Sequence, residues 1–175
     1  MHRHHGKQLF EHNGWLEIAQ RIREGGYSRG EAYDAFAELR TQGDLPGMGP
    51  AYFTKLIFFL MPRVRSSSRP PGYIMDQWTA CSVNLLFDDP SAIRTDAMYS
   101  WAGPAKMGSQ YVVSDHNGAE QYERFCQAVE ALAADLQLPP EATELLLLSE
   151  GGRNPLPWRG YVKQHRRPAL NGLAA

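Results

Sequence analysis

Apolar residues recur at the three-and-four spacing of amphipathic helices along most of the chain, which predicts a mainly α fold, a compact helical array around one core. Residues 7–24 place Phe10, Trp15, Ile18 and Ile22 on one face, and Gly25-Gly26 ends the run. Ser28 is the expected N-cap of a helix to about Thr41, with Glu31 completing a capping box and Ala32, Ala35, Phe36 and Leu39 forming its stripe. Gln42-Gly43-Asp44 breaks that helix. Pro50 stands where a first helical position tolerates proline, and the helix it opens is expected to stop at Pro62. Serines, prolines and a glycine between Arg63 and Tyr73 predict an exposed loop. Asp76 precedes a strongly apolar helix, Gln77 to Phe87, and the turn Asp88-Asp89-Pro90 is expected to lead into another short helix. Around Gln110-Tyr111-Val112-Val113 the pattern fits a short strand or an extended loop. From Gly118 to Leu136 the periodicity is clean, with Tyr122, Phe125, Val129 and Ala133 on one face. Pro139-Pro140 starts a last helix, Glu141 to Leu148, before a tail rich in glycine, proline and arginine.

Length and composition narrow the class. A chain of 175 residues fits one domain, and 43% hydrophobic with 21% charged residues excludes wholesale disorder. The longest apolar run, Leu56 to Met61, is far too short to span a bilayer. The N-terminus lacks the apolar stretch of a signal peptide and the chain has only Cys81 and Cys126, so a reducing cytoplasm is the expected compartment. A net charge of −1 excludes grip on a polyanion by bulk electrostatics, yet the charge is unevenly spread. Residues 45–75 carry +4 and residues 151–175 carry +5, neither with an acidic residue, which leaves −10 for the rest. A basic face could hold a phosphate backbone through few contacts; solvated surface charge without a partner is the plainer alternative.

Between two predicted helices lies Leu45-Pro46-Gly47-Met48-Gly49. Glycines let the backbone take positive φ and approach another backbone closely, and the following helix presents unpaired N–H groups at its start. That is the chemistry of an anion site, and a DNA phosphate fits it without base contacts. A tight αα-hairpin serving packing alone is the alternative.

The segment Leu45 to Trp78 resembles the core of the helix-hairpin-helix DNA glycosylase superfamily and, within it, the 8-oxoguanine DNA glycosylase branch (OGG fold). Members carry Leu-Pro-Gly-hydrophobic-Gly, often a lysine on the second helix, then a loop and an aspartate opening the next helix. The corresponding parts here are residues 45–49, Lys55, the loop from Arg63 to Tyr73, and Asp76. The resemblance implies a helix-hairpin-helix core at about 29–88, a C-terminal helical lobe at about 118–150 and a basic tail at 151–175, all in one domain. It also implies catalytic roles. Cleaving an N-glycosidic bond develops oxocarbenium charge on the sugar, which Asp76 would stabilise. A desolvated Lys55 amine, set among Phe53, Leu56, Ile57, Phe58 and Phe59, would attack the anomeric carbon and leave a Schiff base, giving abasic-site lyase activity as well. The backbone of Gly47, Met48 and Gly49, with Arg63, Arg65 and Arg69, would hold phosphates; Phe59, Trp78 and Trp101 are candidate walls for a flipped base. Asp76 also stands where an N-cap is expected, and each aromatic could equally be core.

Three departures refine the resemblance. Many members place the lysine two residues after the second glycine, where this chain has Ala51; Lys55 lies about 6 Å further along the helix. That spacing, with Phe59 four residues on, is closer to the archaeal 8-oxoguanine glycosylases. No four-cysteine cluster is present, which excludes the iron-sulfur branch, and the chain before the hairpin is short for the superfamily. His116 and His165 have no partner at ligand spacing, so neither metal nor cofactor is expected. The implied protein is a monomeric DNA glycosylase acting on double-stranded DNA with a damaged or modified base. An oxidised purine follows from the resemblance; a hypermodified phage base such as glucosylated hydroxymethylcytosine, in antiviral defence, is a rival substrate. A non-enzymatic helix-hairpin-helix DNA-binding protein and a protein-interaction domain are the rival classes.

Overall fold

Ser28 caps the second helix as the sequence requires: its hydroxyl accepts from the Glu31 N–H (3.3 Å) while the Glu31 carboxylate accepts from the Ser28 N–H (2.7 Å). In the computed structural model, which describes residues 14–63, 69–98, 110–149 and 155–167, this helix is α2 (Arg29–Gln42), preceded by α1 (Gly14–Arg23). The expected helix from residue 7 is therefore described only from Gly14, and Phe10 lies outside the described residues. Gly43 ends α2 in the left-handed region at φ 86°, and residues 43–49 turn the chain into α3 (Pro50–Leu60) with Pro50 at its first turn. The extended segment 69–76 then leads to α4 (Gln77–Leu86).

After α4 the chain departs from expectation. No helix follows Pro90, because side chains tie the chain into a turn: Asp89 Oδ1 accepts from both the N–H and the hydroxyl of Ser91 (2.8 and 2.6 Å), and the Asn84 amide grips the N–H and carbonyl of Ile93 (2.8 and 2.7 Å). The chain then runs into β1 (Thr95–Met98), which pairs antiparallel with β2 (Gln110–Val113) in the register Thr95 opposite Val113 and Met98 opposite Gln110. Residues 110–113 are thus a strand.

The helices α5 (Ala119–Leu136) and α6 (Pro140–Leu148) follow close to their expected bounds. The tail holds a further helix, α7 (Pro157–His165), which packs on α4. Trp158 Nε1 donates to Ser82 Oγ (2.9 Å), whose hydroxyl donates to the Leu147 carbonyl (3.0 Å), and Val162 is buried. Tertiary docking of one apolar residue and one indole outweighs the weak helical pattern of a segment rich in glycine and proline.

Helices α1, α2, α3 and α5 enclose an aromatic centre. Tyr33 meets Phe53 edge-on at 4.9 Å and stacks with Tyr122 at 5.0 Å, while Phe36 lies parallel to Phe53 at 5.9 Å. One cluster of buried residues runs from Ile18 to Leu147. The fold is mainly helical, with seven helices and one short hairpin sheet among the described residues. No described helix is long and apolar enough to cross a membrane.

Candidate active site

The geometry of the site starts with the extended segment before α4, whose backbone groups are met in turn by side chains from the surrounding helices. Arg29 Nη1 donates to the Pro71 carbonyl (2.9 Å), Arg63 Nη2 to the Gly72 carbonyl (2.9 Å) and Tyr122 Oη to the Tyr73 carbonyl (2.8 Å). The Ile74 N–H donates to Glu144 Oε1, and the Met75 N–H to Thr54 Oγ1 (3.2 Å). Arg29 is 2% exposed and paired to Glu123 (2.6 Å) and Glu130 (2.5 Å). Burial alone would lower its pKa, but hydrogen bonds to the two glutamates raise it well above the ordinary value, so the guanidinium stays charged. Gly72 passes so close to the core that a Cβ there would stand 2.6 Å from Ile57 Cγ2 and 2.7 Å from Tyr122 Oη. A strand held this way delivers the next residue, Asp76, to a fixed place.

Asp76 caps α4. Its Oδ1 accepts from the N–H groups of Trp78 (2.7 Å) and Thr79 (3.1 Å), and the Thr79 hydroxyl accepts in return from the Asp76 N–H (3.0 Å). Among the described residues no donor meets Oδ2, so one carboxylate oxygen is anchored and the other carries no hydrogen bond, on a residue that lines the adjacent cleft. That cleft, of about 440 Å³, lies between α3, α4 and β2; Lys55, Asp76, Gln77 and Tyr111 are in its walls. Lys55 and Asp76 thus meet the same space.

Lys55 is exposed rather than buried among its phenylalanines. Phe53 and Ile57 take the core side of α3, and helical spacing turns Lys55 toward Tyr52, whose ring lies 5.5 Å from Nζ. Gly47 and Gly49 also line the cleft. Gly47 has φ 76° and Gly49 is the N-cap of α3; among the described residues the N–H groups of Gly47, Gly49 and Ala51 meet no acceptor. Asp115, also in the cleft wall, is neutralised by a bidentate pair with Arg40 at 2.6 Å for both contacts.

The other sequence candidates are distributed differently. Met48 is half-buried against the core. Arg63 is committed to the fold: it pairs with Glu141 (2.5 Å), holds Gly72 and lies 3.8 Å from the Phe58 ring centre. Arg69 donates to the Gly25 carbonyl. Phe59 is 75% exposed, lies edge-on to Phe58 and is not among the cleft walls. Trp78 is half-buried with Arg159 over its ring at 3.3 Å and Arg166 at 4.6 Å. Arg65 and Trp101 lie outside the described residues. Sequence reasoning missed Gln77, Tyr52, Tyr111 and the Arg40 and Asp115 pair; only Gln77, next to Asp76, carried a signal that position could have exposed. Among the described residues no group of His, Cys, Asp and Glu side chains is gathered to hold a metal.

A helical frame thus brings a lysine and an anchored carboxylate to one cleft, beside a glycine-built helix start. A family model described as "putative 8-oxoguanine DNA glycosylase OGG-like protein" matches residues 3–148, and the chain belongs to that family. Membership makes DNA its substrate class. No curated protein and no solved structure matches the chain.

Proposed function

We propose that the protein excises a damaged or modified base from duplex DNA, with Asp76 stabilising the sugar cation and Lys55 as nucleophile. The observation that carries the reading is the shared cleft of these two side chains beside Gly47 and Gly49. The N–H groups at the start of α3 hold a backbone phosphate, which brings the neighbouring nucleotide over the cleft. The base swings out of the stack; positive charge grows at C1′ as the glycosidic bond lengthens, and the unbonded oxygen of Asp76 faces that charge. The Lys55 Nζ lone pair attacks C1′, and the bonding pair of the C1′–N bond leaves with the base, which is protonated as it departs. Opening of the sugar at C1′–O4′ then gives an iminium, from which loss of a C2′ proton expels the 3′ phosphate. Attack through this lone pair needs the unprotonated amine.

Borohydride reduction tests both the activity and the nucleophile, using duplexes that contain 8-oxoguanine, uracil or glucosylated hydroxymethylcytosine. The expected result is a covalent adduct on one of them that is absent with Lys55→Ala. Base release without an adduct in either protein removes Lys55 from the mechanism and leaves Asp76 acting on water. No release from any duplex overturns the enzymatic reading.

A further inference from the structure

Gln77, the first residue of α4, lies in the cleft wall next to Asp76. Its Oε1 accepts from the backbone N–H of Tyr111 (3.2 Å) and from Nη1 of Arg166 (3.4 Å). An amide N–H and a guanidinium can only donate, so these two partners fix which end of the Gln77 amide is oxygen. The Nε2 group keeps both protons, and among the described residues no acceptor meets them. The partners are themselves held. Arg166 packs on the rings of Trp78 (4.6 Å) and Tyr111 (4.4 Å), and Tyr111 belongs to the strand that forms the far side of the cleft. Arg166 follows α7, so the end of that helix sets the polarity of a group in the cleft wall.

We infer that Gln77 is the base-reading residue: oriented by Tyr111 and Arg166, it donates from Nε2 to an exocyclic oxygen of the extruded base. The inference rests on the proposed function for the location of the base and adds its chemical class. A fixed donor favours an oxo group over an amino group at the edge it meets, because an amino group there sets donor against donor and leaves both unsatisfied in a closed site. The substrates are therefore bases distinguished by a carbonyl, an oxidised purine or a deaminated base, rather than bases distinguished by an amine.

Binding to duplexes with uncleavable 2′-fluoro nucleotides tests this without requiring turnover. Three matched pairs differ at one exocyclic position: hypoxanthine and adenine, uracil and cytosine, 8-oxoguanine and guanine. Wild-type protein is expected to prefer the oxo member of at least one pair by roughly tenfold or more. Gln77→Glu keeps an oxygen for Tyr111 and Arg166 but turns an acceptor toward the base. In an oxo and amino pair it should therefore shift the preference toward the amino member, whereas Gln77→Met should abolish the preference without inverting it. A wild-type protein with no preference in any pair, or variants that keep the wild-type preference, overturns the inference. These outcomes are separable from the catalytic reading: a borohydride adduct without any oxo preference leaves the glycosylase standing and Gln77 without this role.

Discussion

Asp76 caps α4, and the catalytic role proposed for the same carboxylate can be separated from the cap by chemistry. Asparagine caps a helix about as well as aspartate but carries no charge. Asp76→Asn should leave the thermal midpoint within a few degrees of wild type while base release falls roughly a hundredfold or more, the scale of losing a charge aimed at a developing cation. A matching loss of stability would show that the residue matters as a cap alone. Glu144 carries a different signature. Burial, 6% exposed, raises its carboxyl to about 7, against the lowering influence of the Ile74 N–H and Arg63. Its folded value lies above the unfolded one near 4.5, so the folded state binds the extra proton between these values and stability falls as pH rises from 4.5 to 7. The loss amounts to about 3 kcal/mol at most. Glu144→Gln keeps an oxygen for the Ile74 N–H and removes the ionisation, so denaturant midpoints should exceed wild type at pH 8 and converge with it near pH 4.5. Equal curves at both pH values would contradict the assignment.

At the scale of elements, the segment between Pro71 and Asp76 has no helix or sheet of its own to satisfy its backbone, so side chains from α2, α3, α5 and α6 do so. Gly72 is where this strand presses hardest on the core, and Gly72→Ala should cost roughly 1–3 kcal/mol through overpacking. Base release should drop with it, because the Tyr73 carbonyl and Asp76 lie on the displaced stretch; calorimetry and the same release assay read both. None of this clamp was legible in the sequence, where residues 63–73 read as a loop of serines and prolines. The clamping groups are spread from Arg29 to Glu144, and periodicity reports the face a residue takes on its own helix, never its partner across the fold. Local signals were legible where the physics is local. The capping box at Ser28, the glycine that ends α2, the proline that opens α3 and the Asp76 cap each depend on residues within one turn of one another.

Across the whole molecule, the helical class was readable from the apolar periodicity, and the order of the motif along the chain singled out Lys55 and Asp76, which line one cleft. The two-stranded sheet was half readable, since β2 shows its apolar run while β1, Thr95–Met98, has no distinct pattern until β2 pairs with it. The exposure of Lys55 and the cover over Trp78 were not readable, because both follow from which neighbours arrive from elsewhere in the chain. In the basic tail, Arg159 and Arg166 lie against Trp78, and the helix that carries Arg159 is docked. That docking bears on base choice. The family match ends at residue 148, whereas the guanidinium that holds the Gln77 amide comes from residue 166. On the role proposed for Gln77, substitutions confined to this last helix would retune which base is bound while leaving Lys55 and Asp76 where they are.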